Sequence, residues 1–187
     1  MFESREEHLP AFTDRRETLY LAGYATLLAL APIVLSHQLL AGIVVNALLI
    51  RACLHHPLKS TFFLAFLPSR AVLATGFLFG GLTSYILLMA PFIWIGNLAI
   101  MALTRKLFVQ RKKNYFLSTF AASAAKTALL FCSALALYSF SLVPFALLSA
   151  FGLMQLATAE GGAIIVWFMR SSFGKKASAK PKLKSKL

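Results

Sequence analysis

Eight side chains in this sequence are of types that an apolar environment penalises: Gln38, Asn46, Arg51, Arg70, Asn97, Lys126, Gln155 and Glu160. Each stands in an otherwise apolar run, where an ionisable or amide group is costly unless it faces protein or water. Lys126 stands out, midway along the run from Tyr115 to Tyr138, too deep to reach a membrane surface with ease. Thr119, Ala122, Ser123 and Ser133 share its face of a helix. A small, polar face around a cation belongs to a helix interface or a cavity lining rather than to lipid.

Glu160 is the sole acid in any apolar run and falls at nearly the depth of Lys126. A buried Lys126–Glu160 ion pair is therefore one economical outcome. Arg70 is also central in its run, two residues after Pro68, and one acid cannot neutralise two cations. Either an anionic ligand completes the balance, or one cation is held by helix carbonyls and water. In the ligand case Lys126 and Arg70 hold the anionic group, while Asn97 and Gln155 supply neutral hydrogen bonds. Gln155, Thr158, Ala159 and Gly162 share one face of the last run, with Glu160 about 140° away on an ideal helix. Arg51 is close enough to the end of its run to snorkel, and His55, His56 and Lys59 belong to a short connection.

Enzyme signatures are missing. The chain has no HExxH, GxSxG or P-loop and no paired carboxylates. Any ATP-driven activity must therefore come from another chain. Cys53 and Cys132 lie inside apolar runs without metal-ligand spacing, so neither a disulfide framework, a metal site nor a cofactor is expected.

The elements that position these residues follow from composition. Of the 187 residues 59% are apolar and 13% charged, with a mean hydropathy of +0.74. Soluble domains carry about 45–50% apolar and roughly 25% charged residues, so a soluble enzyme is excluded. At about 20 apolar residues per span the length accommodates five or six membrane helices and no soluble head. The runs Leu19–Leu35, Gln38–Leu54, Ser60–Leu82, Ser84–Leu103, Tyr115–Tyr138 and Pro144–Met169 predict an all-α integral membrane protein of six transmembrane helices. Gly76, Gly80, Gly81 and Thr83 mark the turn between the third and fourth. Pro68 is expected to bend the third, and Gly76-x-x-x-Gly80 and Ala25-x-x-x-Ala29 are small-residue pairs that permit close helix approach.

Charge supports the same parse. Residues 1–17 form a polar leader of net −2 with a Ser4-x-x-Glu7 capping-box pattern, and the remainder carries +15. Fifteen of the 19 basic residues fall in the leader, in Arg105–Lys113 and in Arg170–Lys186. Six helices starting inside put all three segments in the cytoplasm, and the opposite connections contain no Lys or Arg. The expected organisation is a cytoplasmic or interfacial leader over 1–17, a six-helix membrane domain over 18–170, and a basic disordered cytoplasmic tail over 171–187. That tail attracts anionic lipid headgroups. Because the basic residues flank apolar spans, membrane topology accounts for them and no nucleic-acid partner is expected.

Several strings then occur together and in order: Gln38-x-x-x-Gly42-x-x-Val45-Asn46-Ala47, Leu67-Pro68-Ser69, Pro91-Phe92-Ile93-Trp94-Ile95-Gly96-Asn97, Ala125-Lys126 and Gln155-x-x-Thr158-Ala159-x-Gly161-Gly162. This set, over about residues 19–170, resembles the substrate-binding S components of energy-coupling factor (ECF) transporters. It is similar in particular to an orphan branch sometimes mislabelled iron hydrogenase, a label that two cysteines cannot sustain. The resemblance implies a six-helix subunit of the prokaryotic plasma membrane that captures a vitamin or related micronutrient near its outer face. A separate transmembrane T component and two ATPases would energise it. It further implies that Ala22, Ala25 and Ala29 present small residues to the T component. Asn46, Arg70, Asn97, Lys126, Gln155 and Thr158 form the expected substrate site. The rival readings are a membrane enzyme acting on a lipid or isoprenoid, with Glu160 or His37 as proton carrier, and a structural subunit of a larger membrane complex.

Overall fold

The computed structural model describes residues 15–35, 37–76 and 78–178, and among them every regular element is helical. The leader up to residue 14, with its capping-box pattern, and the end of the tail from 179 lie outside the described residues.

Helix α1 (Arg15–Val34) keeps Pro32 in its last turn, and α2 (Gln38–His55) begins where His37 Nδ1 accepts the Leu39 N–H at 3.3 Å. The third apolar run departs from the single bent span expected of it. It is built of α3 (Leu58–Thr61), a 3₁₀ stretch (Phe62–Phe66) and α4 (Leu67–Thr75). Pro68 sits in the first turn of α4, where a missing N–H is harmless, and the tighter 3₁₀ segment before it absorbs the change of direction. The run also ends early. Gly76 terminates α4 in the left-handed region at φ +69°, and Gly80 follows at φ +51°. These two glycines therefore make the turn rather than a helix–helix contact.

Helix α5 (Thr83–Thr104) continues as a π-helical turn over Arg105–Gln110, most of the segment expected to be a loop. Arg105 explains the continuation: its guanidinium donates to the carbonyls of Cys53 (2.8 Å) and His56 (2.7 Å), satisfying the open end of α2. Helix α6 (Tyr115–Ser139) starts at an Asn114 cap, whose Oδ1 accepts the Leu117 N–H at 3.3 Å. The last apolar run divides into α7 (Ala146–Phe151) and α8 (Leu153–Ser178). A Cβ at the intervening Gly152 would stand 2.8 Å from the Leu148 carbonyl and 3.2 Å from the Phe131 ring, so the break requires glycine. Helix α8 runs on through Ser178, into the segment expected to be a disordered tail.

Among the described residues five helical stretches are long and apolar enough to cross a membrane: Arg15–Val34, Gln38–His55, Gly80–Gln110, Tyr115–Ser139 and Ala146–Ser172. The sixth expected span corresponds to the segmented stretch 58–75. Large apolar side chains such as Leu19, Leu87, Phe120, Phe140 and Leu153 cover the exterior, as suits a multi-pass membrane protein.

The most extensive seams join α2 to α8 and α5 to α6. The first is backbone against backbone. A Cβ on Gly162 would lie 2.6 Å from the Ala47 nitrogen, and one on Gly42 would lie 2.7 Å from Thr158 Cγ2. Two apolar clusters fill the interior, one around Leu49, Ile50, Met101 and Val166, the other around Ile86, Met89, Leu130 and Phe151. On α6, Ala122 belongs to the first and Leu130 to the second, so Lys126 lies at the boundary between them.

Candidate binding cavity

Lys126 is 97% withdrawn from the surface, with 3% of its area exposed. Its Nζ donates to Asn46 Oδ1 on α2 at 2.7 Å and to Asn97 Oδ1 on α5 at 2.9 Å. Each asparagine is oriented in turn. Asn46 Nδ2 donates to the Gly42 carbonyl (2.9 Å) and to Thr158 Oγ1 (3.2 Å), and Thr158 donates to the Gln155 carbonyl (3.0 Å). Asn97 Nδ2 donates to the Ala65 carbonyl at 2.9 Å, within the 3₁₀ stretch. Both amide groups are thereby turned so that only carbonyl oxygens meet the ammonium. A buried polar network is stable only when its members are satisfied in this way.

The glycine-containing strings of the sequence acquire a reason here. Gly96 clears space for the stem of Lys126, since a Cβ would stand 3.3 Å from Lys126 Cγ, and its neighbour Asn97 receives the ammonium. Gly42 admits Thr158 against α2, and Gly161 and Gly162 let α8 approach Ile43 and Ala47, which brings Thr158 within reach of Asn46.

Lys126, Asn46, Asn97, Gln155 and Thr158 all line one cavity of about 90 Å³. Its remaining walls are mainly apolar, among them Val72, Ile86, Ile93 and Phe151. Pro32 and Gln38 from the α1–α2 connection, and Leu78 and Phe79 from the α4–α5 turn, place its far side at the end of the bundle opposite Arg105.

Of the six expected substrate-site residues, the structure brings together five. Arg70 is the exception. It is exposed on α4 and borders a separate outward groove with Phe66, Leu87, Pro91 and Trp94. Trp94 Nε1 donates to Ser69 Oγ at 2.6 Å, so Ser69, one position before Arg70, takes the inward place on this helix. The expected Lys126–Glu160 ion pair is not formed. Lys126 is engaged by the two asparagines, and Glu160 Oε1 is buried without a hydrogen-bond partner among the described residues. Glu160 does not line the cavity, because it projects away from the Gln155 and Thr158 face of α8 by the angular offset seen in the sequence. His37 does not line it either.

The three alanines of α1 divide. Ala22 is exposed, Ala29 is half-buried, and Ala25 packs against the inner cluster. The outward small residues of this helix include Ala22, Gly23 and Thr26. Sequence reasoning missed the cavity walls altogether, because Val72, Ile86, Ile93 and Phe151 look like any other apolar residue of a span.

No protein-family model, curated protein or solved structure matches this chain. The functional reading rests on the site itself.

Proposed function

We propose that this protein is the membrane-embedded substrate-binding subunit of an ECF-type importer, one that captures a vitamin or related micronutrient for uptake. The observation that carries this reading is the cavity around Lys126. Asn46 on α2, Asn97 on α5, Lys126 on α6 and Thr158 on α8 come from four separate helices and converge on a space walled mainly by apolar side chains. Binding sites have this composition, an apolar enclosure with a few placed polar groups. A purely scaffolding role would account for the bonds that Lys126 makes to α2 and α5 but not for the cavity they border. The candidate proton carriers of a membrane enzyme are Glu160 and His37, and neither lines the cavity.

In this reading the chain is a multi-pass protein of the prokaryotic plasma membrane with both termini in the cytoplasm. The basic segments Arg105–Lys113 and Arg170–Lys186 then face inward, and the cavity lies toward the outer side. The outward strip of α1 around Ala22 and Gly23 is the natural approach for a T component, with two ATPases beyond it. Purification of the full chain in detergent followed by native mass spectrometry tests the proposal. Retention of a small molecule, and recovery of a T component and ATPases in a tagged pull-down from the native membrane, are expected. A protein that copurifies with neither, and binds none of a panel of micronutrients, would sink it.

A further inference from the structure

Resting on the reading of this cavity as a binding site, its chemistry narrows what it can bind. Among the described residues that line it, Lys126 is the one charged group, and no Asp, Glu, Arg or His stands with it. A buried ammonium without a counter-charge costs free energy that two asparagine carbonyls offset only in part. An ammonium carries three N–H donors, and two are committed to Asn46 and Asn97, which leaves one for an occupant of the cavity.

Most neighbouring donors are taken as well. Both N–H groups of Asn46 Nδ2, one of the two on Asn97 Nδ2 and the Thr158 hydroxyl donate to other protein groups. The side-chain amides of Gln155 and Gln38 line the cavity and hold no hydrogen bond among the described residues. The polar end therefore offers a positive charge and spare donors, a combination that selects an acceptor bearing negative charge. A cationic group is repelled. A dianion such as phosphate would bring a second negative charge to a place with one cation, since Arg70 is turned outward. The cavity is about 90 Å³, well under the roughly 300–1,000 Å³ of common small-molecule sites, so the occupant is compact.

We infer that the cavity binds a compact monocarboxylate with an apolar body, its carboxylate on the ammonium of Lys126 between Asn46 and Asn97. The apolar body lies against Val72, Ile86, Ile93 and Phe151, toward the Gln38 end. The carboxylate supplies the counter-charge that the cavity lining lacks, and Gln155 adds a neutral donor.

The test uses the purified full chain in lipid nanodiscs, with butanoate, hexanoate, hexanamide, hexylamine and inorganic phosphate as probes, read by calorimetry and thermal shift. Hexanoate is expected to bind at least tenfold more tightly than hexanamide and to raise the melting temperature, with hexylamine and phosphate giving no shift. Lys126→Met is expected to erase the preference for hexanoate over hexanamide. Equal binding of the acid and its amide by the parent protein overturns the inference without any variant that must fold. So does an unchanged hexanoate affinity in Lys126→Met. If a neutral or cationic molecule is retained in native mass spectra and is displaced from the cavity by none of the carboxylates, the monocarboxylate assignment falls while the binding-subunit reading stands. If no molecule of any charge binds, both fall.

Discussion

Helices α1 and α2 are neighbours of 20 and 18 residues, both apolar and both carrying small side chains, and the protein uses them in opposite ways. In α1, 22% of the apolar window is buried, against 44% in α2. Gly23 of α1 has open space where a Cβ would be, whereas Gly42 of α2 meets Thr158 at 2.7 Å. Small residues on α2 serve the inside: they draw α8 into backbone contact and set Asn46 beside Lys126 and Thr158. The small residues left outward on α1 serve no internal seam. A small-residue pattern thus signals close approach only where a partner helix is present to use it.

Four changes sharpen or break this contrast, from the largest effect to the smallest. Asn46→Leu removes a carbonyl from a buried ammonium and the bond that Thr158 Oγ1 accepts. We expect a loss of about 3 kcal/mol, as for hydrogen bonds to buried charged groups, with much of it regained in the Asn46→Leu, Lys126→Met double variant. Denaturation of the four proteins of this cycle in one detergent decides it, and additive effects would show that the contact contributes nothing of its own.

Gly162→Ala places a methyl group 2.6 Å from a backbone nitrogen of α2. The seam must open, at an expected cost of about 1–3 kcal/mol. A melting temperature equal to the parent's would mean that α2 and α8 are less tightly joined than their geometry indicates. Gly23→Ala makes the same chemical change on α1 with the opposite sign, a gain of up to about 1 kcal/mol in helix propensity. If thermal melts of the purified protein instead show Gly23→Ala to be destabilising, that face of α1 is packed rather than open.

The smallest effect concerns the attachment of α1 at its lower end. Glu17 pairs with His56 at 3.5 Å, with Tyr20 and Tyr24 against the same imidazole. Because this pair is partly exposed, Glu17→Gln is expected to cost less than about 1 kcal/mol. Hydrogen exchange in the first two turns of α1 measures it, and a large rise in exchange there would make the pair the main anchor of the helix.

Much of this arrangement was legible in the residues. Helical class, the run boundaries at Gln38 and Tyr115, the turn at Gly76–Gly80 and the inward position of Lys126 all followed from hydropathy, glycine position and the cost of burying charge. The site was legible to the extent that amides in spans must face protein, which holds for Asn46, Asn97 and Gln155. Arg70 failed the same rule. A long arginine side chain can leave the interior by rotating its stem, so depth in a run does not fix where its guanidinium ends. Glu160 failed for a different reason: equal depth on two helices says nothing about azimuth, and a pair needs both.

Residue types and their period alone require that this chain is helical, that it carries a single deep lysine, and that small residues punctuate α1, α2, α5, α6 and α8. These are properties of composition and period, which act locally. Only the tertiary structure decided which faces meet. It paired Lys126 with asparagines 80 and 29 positions away rather than with Glu160, turned Arg70 outward, and divided the last apolar run at Gly152. The physical reason is that a helix presents every residue at a defined angle but to no defined neighbour. That neighbour is chosen by the close approach of α2 to α8 and of α5 to α6.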